Sequence, residues 1–304
     1  MTTRRQVMEF RVPVPDPGRV LNPLVAASHR SGARMKLAPG LMLMVVTSLA
    51  LGAADPRFVT SDPNGGWSIN GYYVHNNMWN SAKYSACTST LYAWSHDNWY
   101  VVTRMNNTTG DGAVKTYPNV HRNYRSVPLE AFDSLTSNFA GTSPPVGIYN
   151  FAYDLWINGI ARPGCTEIMI WTENRKQVPG GKYLQDVAFD NRTYKVYRNA
   201  SSGYLAFVAV ENFTSGTVDL LAILQWSVAQ GWLASHSTLD QICFGVEVVS
   251  TEDEEATFRV TAFSIDAKLK PEFDSREPVN RGNKSKRSEE RRVGKECRSR
   301  CSAY

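Results

Sequence analysis

Thr166-Glu167-Ile168-Met169-Ile170-Trp171 is an apolar run with a single acid in it. Its β-branched and aromatic residues favour an extended, buried strand. An unpaired carboxylate is costly in such a strand. A second run, Phe244-Gly245-Val246-Glu247-Val248-Val249, has the same form and again holds one acid. Buried carboxyl groups shift their pKa, find partners, or line a cleft where they take part in chemistry.

Outward from these two runs, the chain between Trp67 and Asp266 reads as many short strands rich in Tyr, Trp, Val and Thr. The pattern predicts strands over 71–75, 90–94, 98–104, 146–157, 167–172, 193–197, 204–210 and 257–265. Turn clusters fall at 107–112, 143–145, 179–181 and 199–203. This spacing predicts an all-β fold, an antiparallel sandwich. One segment differs: Val218, Leu221, Leu224 and Val228 recur at helical spacing, which predicts one packed α-helix over Thr217–Leu233.

The ends of the 304-residue chain read differently from its middle. Residues 1–34 carry Pro13, Pro15, Pro17 and several arginines without periodicity and read as a mis-called upstream segment. Residues 35–54 run from Lys36 through Leu41–Val46 to small residues ending at Ala54, the form of a secretory signal peptide. The expected working domain is 55–267. Residues 268–304 are expected to be a disordered tail, and the charge-dense run over 287–304 reads as translated sequencing adapter.

Charge follows the same division. The whole chain is +5, but residues 55–267 hold 14 Lys/Arg against 20 Asp/Glu and are acidic. The basic balance belongs to the ends, so it gives no support for a nucleic-acid partner. Cys87, Cys165 and Cys243 lie in the domain. Their odd number forbids full pairing, and no Cys/His spacing suggests a metal, so unpaired cysteines are favoured over one bridge.

Asn76-Asn77-Met78-Trp79, Tyr117-Pro118-Asn119-Val120, Tyr153-Asp154-Leu155-Trp156, the 167–171 run and FGVEVV around Glu247 together resemble glycoside hydrolase family 12 over about residues 67–266. The resemblance implies a β-jelly-roll with a concave substrate cleft and hydrolysis of β-1,4-glucans with retained configuration. By position, Glu167 resembles the nucleophile, Glu247 the acid/base, and Asp154 the aspartate that assists the nucleophile. Trp79 resembles the sugar-stacking tryptophan, and Asn77, Met169 and Trp171 resemble cleft positions. Cys87 resembles half of an N-terminal disulfide, but no cysteine lies between Ala54 and Trp67 to pair with it.

The expected protein is therefore a secreted, extracellular, monomeric endo-β-1,4-glucanase. It is expected to act on β-glucan without cofactor or metal, and without contact with membrane once the signal is cleaved. Xyloglucan or mixed-linkage glucan stands as an alternative substrate. A noncatalytic carbohydrate-binding sandwich stands as an alternative function, since the aromatics alone would suffice for binding.

Overall fold

The structure is a computed structural model and describes residues 54–274. The segments expected at 1–34, over 35–53 and beyond 274 lie outside the described residues. In chain order, the first strands are β1 (Phe58–Thr60), β2 (Gly66–Ile69), β3 (Tyr72–His75), β4 (Thr88–Ser95) and β5 (Asn98–Arg104). They are followed by β6 (Asn119–Pro128), β7 (Phe132–Thr142), β8 (Ile148–Ile157), β9 (Thr166–Arg175) and β10 (Lys182–Phe189). The last are β11 (Arg192–Asn199), β12 (Tyr204–Ala209), β13 (Ser215–Asp219), α1 (Leu220–Ala229), β14 (Thr238–Ser250), β15 (Ala256–Leu269) and the single turn α2 (Pro271–Asp274).

Two sheets form from these strands. The smaller runs β1-β4-β5-β15-β7-β13 and the larger β10-β11-β12-β9-β8-β14-β6-β3-β2. Pairing between strands is antiparallel as expected except that β12 lies parallel to β9, with Tyr204 beside Glu167; the isolated bridge between Tyr149 and Lys176 is also parallel. At the outer edge of the larger sheet, the β10–β11 ladder is interrupted by a bulge at Leu184.

The period of two along each strand sorts side chains between core and outer face. Tyr149, Phe151, Tyr153 and Leu155 of β8 enter the core, as do Ile168 and Ile170 of β9 and Ile242, Phe244, Val246 and Val248 of β14. Phe244 is fully buried and stacks on Phe263 of the opposite sheet with ring centroids 5.7 Å apart. Phe139, also from that sheet, approaches it at 4.7 Å. Burying each such side chain contributes roughly 1.5–3 kcal/mol, so these aromatics hold the two layers together.

Helix α1 is shorter at both ends than the expected 217–233. Thr217 and Val218 pair instead with Asn138 and Ser137 as part of β13. Asp219 then accepts the Ala222 N–H at 2.9 Å and caps the helix. At the far end Gly231 adopts φ +70, and the Trp232 N–H returns to the Ser227 carbonyl at 3.0 Å. This is the Schellman closure that glycine permits. No atom lies within 4 Å of where a Gly231 side chain would begin. Gly231→Ala should thus cost only the backbone term, about 1 kcal/mol, seen as a lower urea midpoint with an unchanged slope.

The domain also runs further than 267. Lys268 and Leu269 continue the ladder opposite Ser134 and Phe132, Leu269 packs on the core, and the Lys270 N–H donates to the Ala131 carbonyl at 2.9 Å. An apolar residue two positions past Ala267 keeps the strand's inward face filled, so the boundary lies beyond Lys270. Among the described residues no helix is long and apolar enough to cross a membrane.

Candidate active site

The same period of two that sends Tyr153 and Phe244 inward sends every second neighbour to the outer face of the larger sheet. That face receives Glu167, Met169 and Trp171 from β9, and Asn150, Ala152, Asp154 and Trp156 from β8. It also receives Gln241, Cys243, Gly245 and Glu247 from β14. Strand β8 lies between the other two, so Asp154 stands opposite both Met169 and Cys243. Glu167 is opposite Trp156, and Glu247 is opposite Asn150.

Gly245 makes room for a further strand end. A side chain there would meet the Pro118 carbonyl at 2.0 Å. Without one, the Val246 N–H donates to that carbonyl at 3.1 Å. Tyr117 is thereby drawn into the face, where its hydroxyl donates to the Ala152 carbonyl at 3.0 Å. Burial, with the charges of Cys243, Asp154, Glu247 and Glu167 around it, holds the Tyr117 hydroxyl well above its usual pKa.

All three carboxyl groups are pushed upward. Burial, followed by the negative charge of Glu247, raises Glu167 to about 8. Burial raises Glu247 to about 7, against the Asn150 and Gln177 amides that donate to it. Asp154 is raised well above its ordinary value by burial and then by the charges of Glu167 and Glu247. Its Oδ1 has no hydrogen-bond partner. Both glutamates keep part of their surface open, whereas Asp154 is 5 % exposed. Three acids this close cannot all ionise near neutral pH. The cluster therefore keeps a proton beside a carboxylate, which is the equipment for acid/base chemistry.

The flanks of this cluster are aromatic and uncharged. Trp79 is partly buried and packs with Tyr117, Trp156, Ala161 and Cys243. Asn77, at φ +43, spends its amide N–H on the Tyr117 carbonyl at 3.0 Å, and so braces the same loop. On the other flank, Met169 and Trp171 are 3 % and 2 % exposed and pack with Tyr204, Ala206 and Val208. The Trp171 indole N–H points at the Met169 sulfur, 3.5 Å away. These two form the floor of the face rather than an open platform, because Tyr204, Ala206 and Val208 of the neighbouring strand β12 pack beside them. Near β3 and β6, burial lowers His75 to about 4 and His121 to about 3, so both imidazoles are neutral around neutral pH.

Among the described residues, Cys87, Cys165 and Cys243 form no disulfide. Among the described residues no cluster of His, Cys, Asp and Glu could hold a metal ion. Asn150 and Gln177, which the sequence reading passes over, both reach Glu247. Neither carries a sequence signal of its own, since each is an ordinary amide whose partner lies far along the chain.

A two-layer β-sandwich with a carboxyl cluster on the outer face of its larger sheet is a β-jelly-roll equipped for acid/base chemistry. Residues 70–268 match the model of glycosyl hydrolase family 12, and the chain belongs to that family. It is 21 % identical over 230 residues to endoglucanase S of Pectobacterium parmentieri, covering 66 % of this chain and 83 % of that one. Its fold is shared with the xyloglucanase domain of NopAA, a type three effector from Sinorhizobium fredii, solved with cellobiose. That pair is 24 % identical with a TM-score of 0.62, covering 70 % of this chain and all of the other. A family 12 xyloglucanase from Bacillus licheniformis is 21 % identical with a TM-score of 0.60, covering 69 % of this chain and all of the other. The chain is thus a glycoside hydrolase, and the noncatalytic sandwich falls away.

Proposed function

We propose that this hydrolase is a secreted endo-β-1,4-glucanase that works with retained configuration by double displacement. Glu167 is the nucleophile, Glu247 the acid/base, and Asp154 the group that assists the nucleophile. The observation that carries this reading is the shared face on which burial raises both glutamates to near neutral, with the charge of Glu247 adding to the rise at Glu167. In the first step Glu167 attacks the anomeric carbon while Glu247 protonates the leaving oxygen. In the second, ionised Glu247 takes a proton from water as that water opens the glycosyl-enzyme bond.

In the free protein burial holds both glutamates toward their protonated forms, and substrate decides which of them keeps the proton. Developing positive charge at the anomeric carbon favours ionised Glu167, and the glycosidic oxygen gives the Glu247 proton an acceptor. Asp154, whose pKa is raised by burial and by the charges of Glu167 and Glu247, is favoured in the protonated form, in which it does not repel an ionised Glu167.

Two tests check the proposal. Reducing ends should appear from carboxymethylcellulose, barley β-glucan or xyloglucan, the last being the substrate class named for two of its structural relatives. The first product seen by NMR should be the β-anomer, and an α-anomer would remove the double-displacement assignment. Loss of the shared proton should also close the reaction at alkaline pH, with the upper limb of kcat/KM near pH 8.

A further inference from the structure

Two side chains outside this scheme meet one oxygen of Glu247. Asn150 Nδ2 donates to Oε2 at 2.7 Å, and Gln177 Nε2 donates to the same atom at 3.2 Å. Neither amide is free to wander. Asn150 is fully buried in β8, directly opposite Glu247 in the ladder. Gln177 is 9 % exposed and follows β9, where Lys176 at φ +60 turns the chain.

The Gln177 backbone is clamped on both sides. Asn174 Oδ1 accepts its N–H at 3.0 Å, and Asn174 Nδ2 donates to its carbonyl at 3.0 Å. Asn212 repeats the arrangement on Asn174, accepting its N–H at 3.0 Å and donating to its carbonyl at 3.2 Å. A chain of amides thus leads from the surface at Asn212 to the head of Glu247.

The chemistry of the head group follows from this count of donors. An oxygen that accepts two N–H groups has no lone pair left for a proton. This outcome depends on both amides presenting N–H to Oε2, as they do here; an amide turned round would accept an O–H at that oxygen instead. We propose that Asn150 and Gln177 form a donor fork that pins Glu247 Oε2 and confines the catalytic proton to Oε1. They act as positioning residues for the acid, and the inference rests on Glu247 being the acid/base. The fork also serves the second step, since it favours the ionised form against the burial that opposes it.

The test compares two leaving groups in the full chain. Phenyl β-cellobioside needs protonation of its leaving oxygen, whereas 2,4-dinitrophenyl β-cellobioside departs without it. Gln177→Ala and Asn150→Ala should each lower kcat/KM on the phenyl substrate roughly 10–100-fold. The loss on the dinitrophenyl substrate should be smaller by a factor of about ten or more. With the donors gone, the alkaline limb should move up by roughly 0.5–1 pH unit.

Equal losses on both substrates, or an unmoved alkaline limb, would mean that the amides are only structural and would overturn the fork. Gln177 sits in a loop, so its variant carries the test if Asn150→Ala fails to fold by circular dichroism. Glu247→Ala measured alongside separates the two levels of the argument. If it discriminates between the leaving groups and the amide variants do not, the fork alone is wrong. If it too shows no discrimination, the acid/base assignment falls and the fork with it.

Discussion

Glu167→Gln should abolish turnover and at the same time make the protein more stable at alkaline pH. If Glu167 is the nucleophile as proposed, removing it should cost roughly 10⁴-fold or more in kcat. The stability effect follows from the raised pKa. Glu167 titrates near 4.5 when unfolded and near 8 when folded. Its folded state therefore favours the proton, and the stability that this gives is complete below pH 4.5 and lost as pH rises through 8. Glutamine never ionises and escapes that loss.

The gain should accordingly be absent at pH 4, grow between 4.5 and 8, and level off above. Discounted for the open side of the cleft, it should be on the order of 2 kcal/mol. That corresponds to about 4–8 °C in melting temperature for a domain of this size. Melting curves of parent and variant at pH 4 and pH 8.5 would measure it. An equal shift at both pH values would show that burial of charge is not the cause.

The second large effect is expected at Glu247. On the proposed assignment, Glu247→Ala removes the proton donor of the first step and the base of the second. Turnover of glucan should fall roughly 10²–10⁴-fold. Activity on an activated cellobioside should then return on adding azide, because the small anion takes the space of the lost carboxyl and attacks in place of activated water. The product should be the β-glycosyl azide, with configuration retained through the Glu167 intermediate. An α-azide would mean that azide had attacked the substrate directly and that Glu167 forms no intermediate.

Much of this was legible in the amino-acid sequence, for a specific reason. Glu167, Glu247 and Asp154 each interrupt an apolar strand, and the cost of a stranded carboxyl is visible in one dimension. Strands β5, β8 and β12 were legible because both of their faces, or one clean alternating face, are apolar. Strand β6 was not, since Arg122, Asn123, Arg125 and Ser126 break the alternation and its pairing with β14 supplies the missing order. The helix was legible but its ends were not, because Thr217 and Val218 are claimed by a distant strand. Asn150 was invisible for the same reason in sharper form. It is a small amide between two aromatics until β14 arrives, 97 residues later, and sets Glu247 against it.

The bulge at the rim of the larger sheet carries a consequence for how molecules of this protein meet. Strand β10 has a neighbour on one side only, and most of its residues face water. A free strand side of that kind is a template on which a second molecule could continue the sheet and begin a fibre. Leu184 is one residue too many between Tyr183 and Gln185, so the free N–H and C=O groups fall out of step with any regular incoming strand. Lys182 before it and Asp186 after it add charges that an apolar visitor would have to desolvate. A single inserted residue thus sets this edge of the larger sheet out of step with a regular incoming strand while leaving the face with the carboxyl cluster untouched.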